Sequence, residues 1–159
     1  MPGYSGEKTK IYSVVVDDSQ YTLYEQFVAD NIPPFETEVM NFDDRLRIIG
    51  NESGLFADYF KTGMGRPDQH ICQFSDRPKA KMRLFFIEEM AKKMIIVGGG
   101  ALKPKNTRAT EDFPELNDQR ELLMKIEDIL RKAEKDGTLI IHEDGSITST
   151  TDNIYYSED

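Results

Sequence analysis

The sequence predicts an α+β fold: an antiparallel β-sheet packed by helices on one face. Two observations carry this. Apolar residues recur at helical spacing in two blocks, near 35–49 and 116–133. Between them, residues 69–97 hold short runs that alternate or are wholly apolar, rich in β-branched and aromatic side chains.

Lys10 to Val16 reads as a first strand, bounded by Asp17-Asp18-Ser19. Asp18 or Ser19 is placed to cap a helix that carries Tyr21, Tyr24, Phe27 and Val28 and runs to about Asp30. Ile32-Pro33-Pro34 stops it, because proline lacks an N–H and restrains its predecessor. Phe35, Val39, Phe42, Leu46 and Ile49 then form one apolar stripe, with Gly50 as the residue that ends the helix. Leu55 to Lys61 is expected to form a short third helix with Leu55, Phe56, Tyr59 and Phe60 against the core, before a glycine-rich loop over 62–68.

Gln69 to Phe74, Lys81 to Glu88 and Met94 to Val97 are the strand candidates, and their short connections suggest an antiparallel meander. The second puts Met82, Leu84 and Phe86 on one face and Arg83, Phe85 and Ile87 on the other; Met94 to Val97 has the apolar character of a buried central strand. Glu111 to Phe113 opens the last helix, with Asp112 as cap and Pro114 in the first turn. Its stripe is Leu116, Leu122, Leu123, Ile126, Ile129, Leu130 and Ala133, and Gly137 closes it. Residues 138–141 and 146–148 flank an Asp144-Gly145 turn as a hairpin. The predicted organisation is a single domain over 1–148 and an acidic, disordered tail over 149–159. Phe42, Leu46, Phe86, Ile96, Ile126 and Leu130 are the expected core.

With 159 residues, 38% hydrophobic, the chain is long enough for one domain with a real core. The single cysteine, Cys72, excludes an intrachain disulfide and reads as a small buried hydrophobe. No apolar run approaches the roughly 18 residues of a membrane helix, and Met1 to Lys10 has no apolar signal core, so a cytoplasmic protein without a membrane partner is expected. The net charge of -9 is segregated: residues 1–60 carry -7, 61–110 carry +7 and 111–159 carry -9. Either the basic third forms a local positive surface, or the segments pair with one another across the fold.

No cofactor and no metal site is predicted. Gly98-Gly99-Gly100 follows a strand, but the run GGGALKPK has neither phosphate-loop spacing, so a bulge or close backbone approach is the better reading. His70 and His142 stand apart, without a second ligand pair. Adjacent acids such as Asp43-Asp44 and Glu88-Glu89 read as solvated charges. The chemical lead is the basic stretch of Arg77, Lys79, Lys81 and Arg83, then Lys103, Lys105 and Arg108. Strand periodicity would put Lys79, Lys81 and Arg83 on one face, where like charges call for a compensating anion.

The order from Gln69 to Arg108 resembles the core of RelE/HigB-type toxins of the RelE/ParE superfamily. The residues concerned are Arg83-Leu84-Phe85-Phe86, the apolar Met94-Ile95-Ile96-Val97, and Lys103-Pro104-Lys105-Asn106-Thr107-Arg108. His70 to Phe74 stands where the family has its first sheet-core strand, and 122–133 where it has the following helix. The resemblance spans residues 69–133 and leaves the region after Gly137 as a C-terminal extension. It implies a toxin module of a bacterial toxin–antitoxin system, an endoribonuclease cleaving ribosome-associated mRNA through attack of a ribose 2′-OH on the adjacent phosphate. Arg83 and Arg108 would be catalytic, stabilising charge on the phosphate; Arg77, Lys79, Lys81, Lys103 and Lys105 would bind RNA. The partners implied are mRNA on the ribosome and a small antitoxin protein, with no DNA. No residue is assigned as general base or acid: the catalytic tyrosine or histidine that some members carry near the C-terminus has no secure counterpart here, since Tyr155 and Tyr156 lie in the tail. Two alternatives stay open: a catalytically inactive RelE-like fold serving as a protein-binding module, and an unrelated α+β interaction protein of mobile-element origin.

Overall fold

The first helix begins where a side chain can satisfy its free amides. Thr22 Oγ1 accepts from Glu25 N (3.1 Å) and Glu25 Oε1 accepts from Thr22 N (3.0 Å), a reciprocal capping box. This sets α1 at Leu23–Asn31, later than Asp18 or Ser19 would have started it, and leaves Tyr21 exposed. The computed structural model describes residues 1–77, 79–103 and 113–154. Helix α2, Glu36–Ile48, buries Val39, Phe42 and Leu46, the expected stripe. The chain then widens into a π-helical turn, Ile49–Ser53, and Gly54 (φ 74°), not Gly50, ends it. Gly50 instead lies buried against Tyr4 O, where any side chain would collide with backbone. The expected third helix is only a single turn, Ala57–Tyr59; Phe60 packs on the core, whereas Phe56 and Tyr59 remain exposed.

Strands β1 (Lys10–Ser13), β2 (Ile71–Ser75), β3 (Met82–Glu89) and β4 (Met94–Leu102) form one sheet in the order β1-β4-β3-β2. The meander β2-β3-β4 is antiparallel, as the short connections require. The protein is α+β, but the sheet is mixed: β1 lies parallel to β4, pairing Lys10 with Met94 and Ser13 with Val97. The meander leaves the outer edge of β4 open, and β1 fills its first half with Ile11 fully buried.

Helices cover both faces of the sheet, not one. On one side α1 and α2 pack on Ile11, Cys72, Phe74, Met82, Leu84, Phe86, Ile95 and Val97. On the other, α3 (Pro114–Lys135) packs on Ile71, Phe85, Ile87, Met94, Ile96 and Ala101. The alternation in β3 is the cause: both sets of its side chains are apolar, so each face needs a cover.

The glycines belong to β4 and form the bulge. Leu84 pairs with Gly100 but Phe86 with Val97, so β4 carries one extra residue opposite Phe85. A Cβ on Gly98 would sit 3.1 Å from the Leu123 methyls, and one on Gly99 would strike the Gln119 side chain. Missing side chains here let α3 settle directly on β4.

Helix α3 ends in a Schellman motif: Thr138 N donates to Ala133 O and Gly137 N (φ 78°) to Glu134 O. Strands β5 (Leu139–Ile141) and β6 (Ile147–Ser149) follow as a separate hairpin, tied to β1 by Tyr12 Oη donating to Gly145 O (3.0 Å). The segment expected to be a disordered tail begins inside β6, and its described part is attached. Thr150 N donates to Thr138 O, and Ile154 packs on the α3 side of the core. No helix among the described residues is long and apolar enough to cross a membrane.

Of the expected core residues, Phe42, Leu46, Phe86, Ile96 and Ile126 are buried, while Leu130 is only partly so. Leu123→Ala should therefore cost about 2–5 kcal/mol in urea unfolding. Leu130→Ala should cost less than Leu123→Ala; the reverse order would mean that the α3 face is misassigned.

The N-terminal turn is pinned by a polar cluster. Tyr4 and Tyr24 both donate to Asp43 Oδ1 (2.6 and 2.8 Å), and Arg47 stacks 4.0 Å over the Tyr4 ring. Burial, then the bond to Asp43, pushes the Tyr4 phenol up to about 12 and the Tyr24 phenol further. A phenol whose pKa is raised by folding contributes stability below its unfolded value near 10; that contribution is lost as pH rises through the folded one. Unfolding free energy should stay level to about pH 10 and fall above it. In Tyr4→Phe/Tyr24→Phe that alkaline slope should flatten; an unchanged slope would refute the role of the pair.

Candidate nucleic-acid interface

Of the basic residues that the sequence singles out, Arg77, Lys79, Lys81, Arg83 and Lys103 gather at one end of the sheet, around the β2–β3 turn. Asp76 builds this turn. It is buried; its Oδ1 accepts from Met82 N (2.6 Å) and its carbonyl from Ala80 N (3.0 Å), with Ala80 in the left-handed region (φ 53°). Arg77 N donates to Asn41 Oδ1 (2.9 Å), anchoring the turn to α2. Lys103 N donates to Lys81 O (2.7 Å), which brings the end of β4 against the same turn. Arg77, Lys79, Lys81, Arg83 and Lys103 thus share one end of the sheet. Lys105 and Arg108 lie outside the described residues.

The expected one-face stripe of Lys79, Lys81 and Arg83 does not form. Strand β3 begins only at Met82, and the left-handed Ala80 interrupts the alternation before it. Arg77 and Lys79 are exposed on the turn, while Lys81, Arg83 and Lys103 are half-buried. The Lys81 ammonium lies 3.8 Å from Glu38 on α2. The Arg83 guanidinium folds back on its own turn, with Nη1 donating to Ala80 O (2.7 Å) and Met82 O (3.1 Å). Its Nε is buried without a partner. Burial holds the guanidinium below its ordinary pKa, partly offset by Asp76.

Both proposals for the segregated charge are partly realised. Lys81 pairs with the acidic first third, and Arg66 reaches Asp128 on α3. The exposed turn still presents Arg77 and Lys79, so that end of the sheet can hold a polyanion by contacts that neutralise phosphates.

Two charged groups escaped the sequence reading. Arg45 flanks the α2 stripe, three residues after Phe42; its Cζ stands over the rings of Phe42 and Phe74 (5.4 and 5.1 Å), and its Nη2 donates to Ser75 O (2.6 Å). Glu127, on the buried side of α3, accepts from His70 N (2.8 Å) and from Arg131 Nη2 (3.0 Å). Arg131 Nη2 also lies 3.0 Å from His70 Nδ1, and the same ring nitrogen lies 3.6 Å from Glu127 Oε2. Arg131 further bridges to Glu89 and Glu134. His70, read as solitary, belongs to a network clamping β2 to α3. An acid within the α3 stripe was the available signal. This network sits at the opposite end of the sheet from the basic turn. Among the described residues no group of His, Cys, Asp and Glu could hold a metal ion. Burial pushes the Cys72 thiol up to about 12, so it is not an activated nucleophile.

No family model matches this chain, and no curated protein is similar to it.

Asp76→Ala removes the acceptor of a buried amide and should cost about 1–3 kcal/mol. Hydrogen exchange should accelerate at Met82 and Lys103 before it does at Phe86. Uniform loosening of the sheet would contradict the local role of the carboxylate.

Proposed function

We propose that this chain is a RelE/HigB-like toxin module of a toxin–antitoxin system, an endoribonuclease acting on ribosome-associated mRNA in a bacterial cytoplasm. The observation that carries the reading is the bond from Lys103 N to Lys81 O, which joins two basic segments 22 positions apart into one surface. After the first strand, the order of elements also supports it: two helices, an antiparallel meander, a lysine-rich stretch of sequence, then a long helix. Arg83 and Arg108 would stabilise charge on the scissile phosphate; Arg77, Lys79, Lys81, Lys103 and Lys105 would hold the RNA backbone. Donors already fixed in place serve such a role best, because they need no reorganisation as charge develops. A small antitoxin protein would be its partner.

A second reading has its own observation. Arg83 is committed to its own turn, and both histidines, His70 and His142, lie toward the other end of the sheet. A RelE-like fold without catalysis, kept for binding protein, would look like this.

Induced expression in a bacterial host separates the two. The toxin reading expects growth arrest and mRNA cleavage in wild type. In Arg83→Ala the cleavage rate should fall about 10²–10³-fold. Lys81→Ala/Lys103→Ala should weaken RNA binding and flatten its salt slope by about 0.7 per lost phosphate contact. A wild type that binds no RNA at low salt and arrests no growth would leave the protein-binding module.

A further inference from the structure

Next to Ser75, on the α2 side, lies a pocket of about 150 Å³, lined by Arg45, Ile48, Ile49, Ser53, Tyr59 and Phe74. Its polar lining groups are the Arg45 guanidinium and the hydroxyls of Ser53 and Tyr59, and the Ser53 hydroxyl already donates to Gly54 O (2.8 Å). Arg45 is the unusual member. Its Nε and Nη1 are buried without a hydrogen-bond partner, although the same guanidinium supplies Ser75 O from Nη2. The rings of Phe42 and Phe74 attract the charge through their faces, but they offer the in-plane N–H groups no acceptor. Leaving a buried donor without a partner is costly, and more so on a charged group. Burial, then nearby Arg77, lowers the Arg45 pKa to about 10, so the group is still a cation at neutral pH.

We propose that this pocket binds a carboxylate carried on a short apolar stem. The carboxylate supplies acceptors to the Arg45 guanidinium, and the stem takes the place of water against Ile48, Ile49 and Phe74. A single lining cation matches a monoanion, whereas a phosphate dianion would be half-neutralised and would set polar oxygens against apolar walls. The unpartnered nitrogens lie below the water-contact surface, so entry requires a lining side chain to shift. Tyr59 is placed to do so: it is 40% exposed, on a three-residue turn, edge-on to the exposed Phe56 (5.7 Å). The proposal is independent of RNA binding, which concerns the adjacent turn.

The test is an amide-resolved NMR titration of the full chain with 4-methylpentanoate, 4-methylpentanamide and inorganic phosphate. The acid should give saturable shifts at Arg45, Ile49, Ser53, Tyr59 and Phe74, with Kd on the order of 1 mM for so small a molecule. The neutral amide and phosphate should bind at this pocket at least about tenfold more weakly. Arg45→Met keeps an apolar group between the two rings and should lose the acid by a similar factor. Ile48→Glu, at a position 44% exposed, should fold as the wild type does, checked by its amide spectrum, and should weaken the acid more than the amide. Absence of saturable shifts below about 20 mM, equal binding of the amide or of phosphate, or undiminished binding in both variants would overturn the assignment.

Discussion

Strand β3 has no free side. Met82, Leu84, Phe85, Phe86 and Ile87 are each no more than 1% exposed, so both faces are covered, and both edges are occupied by β2 and β4. Buried main-chain groups must be paired, which makes the two flanking ladders obligatory. Apolar side chains on both faces in turn demand two helical layers, α1 with α2 on one side and α3 on the other. The glycine bulge follows from the same constraint. Opposite Phe85, β4 takes up an extra residue, and without side chains at Gly98 and Gly99 it lets α3 approach closely enough to seal that face.

The two ends of the sheet are consequently different in kind. At one end, the β2–β3 turn and the end of β4 collect cations, because the ladder brings Lys81 and Lys103 together whatever their charge. Glu38 answers one of these cations, and the buried carboxylate of Asp76 is spent on the turn's own amide. At the other end, Glu127 is nearly inaccessible (1% exposed) and is made tolerable by Arg131 and the His70 amide. Removing one partner of such a buried pair is more damaging than the pair is stabilising. The network ties β2 to α3 through the His70 amide and Arg131.

The basic turn and the Arg45 pocket, both at the same end of the sheet, bear on function differently. The basic turn offers positive charge on an exposed loop, the arrangement that a flexible phosphate backbone can use. The Arg45 pocket, close by on the α2 side of Ser75, offers charge in an apolar enclosure, where one ionic contact is stronger and more selective than at the surface. A polyanion and a small apolar acid would thus be told apart by the dielectric around the arginines and not by their number.

Local pattern was enough for much of this protein. The α2 stripe, the meander, the bulge at the glycines, the Gly137 stop and the Asp144-Gly145 hairpin all follow from residues near one another, since periodicity and turn chemistry act over a few positions. The Thr22 to Glu25 capping box was legible too, but nearer polar residues at 18 and 19 competed with it. That Arg77, Lys79, Lys81, Arg83 and Lys103 lie at one end of the sheet follows from the short connections of the meander. Their directions do not, because a single left-handed residue, Ala80, breaks the alternation that would have aligned them. What only the tertiary structure decided is of another kind. The parallel seat of β1 beside β4 joins residues 84 positions apart, the second helical layer depends on which elements compete for a two-sided sheet, and the burial of Arg45 and Glu127 depends on what packs over them. Those outcomes arise from surfaces that come into being only after the strands have paired, so no stretch of sequence contains them.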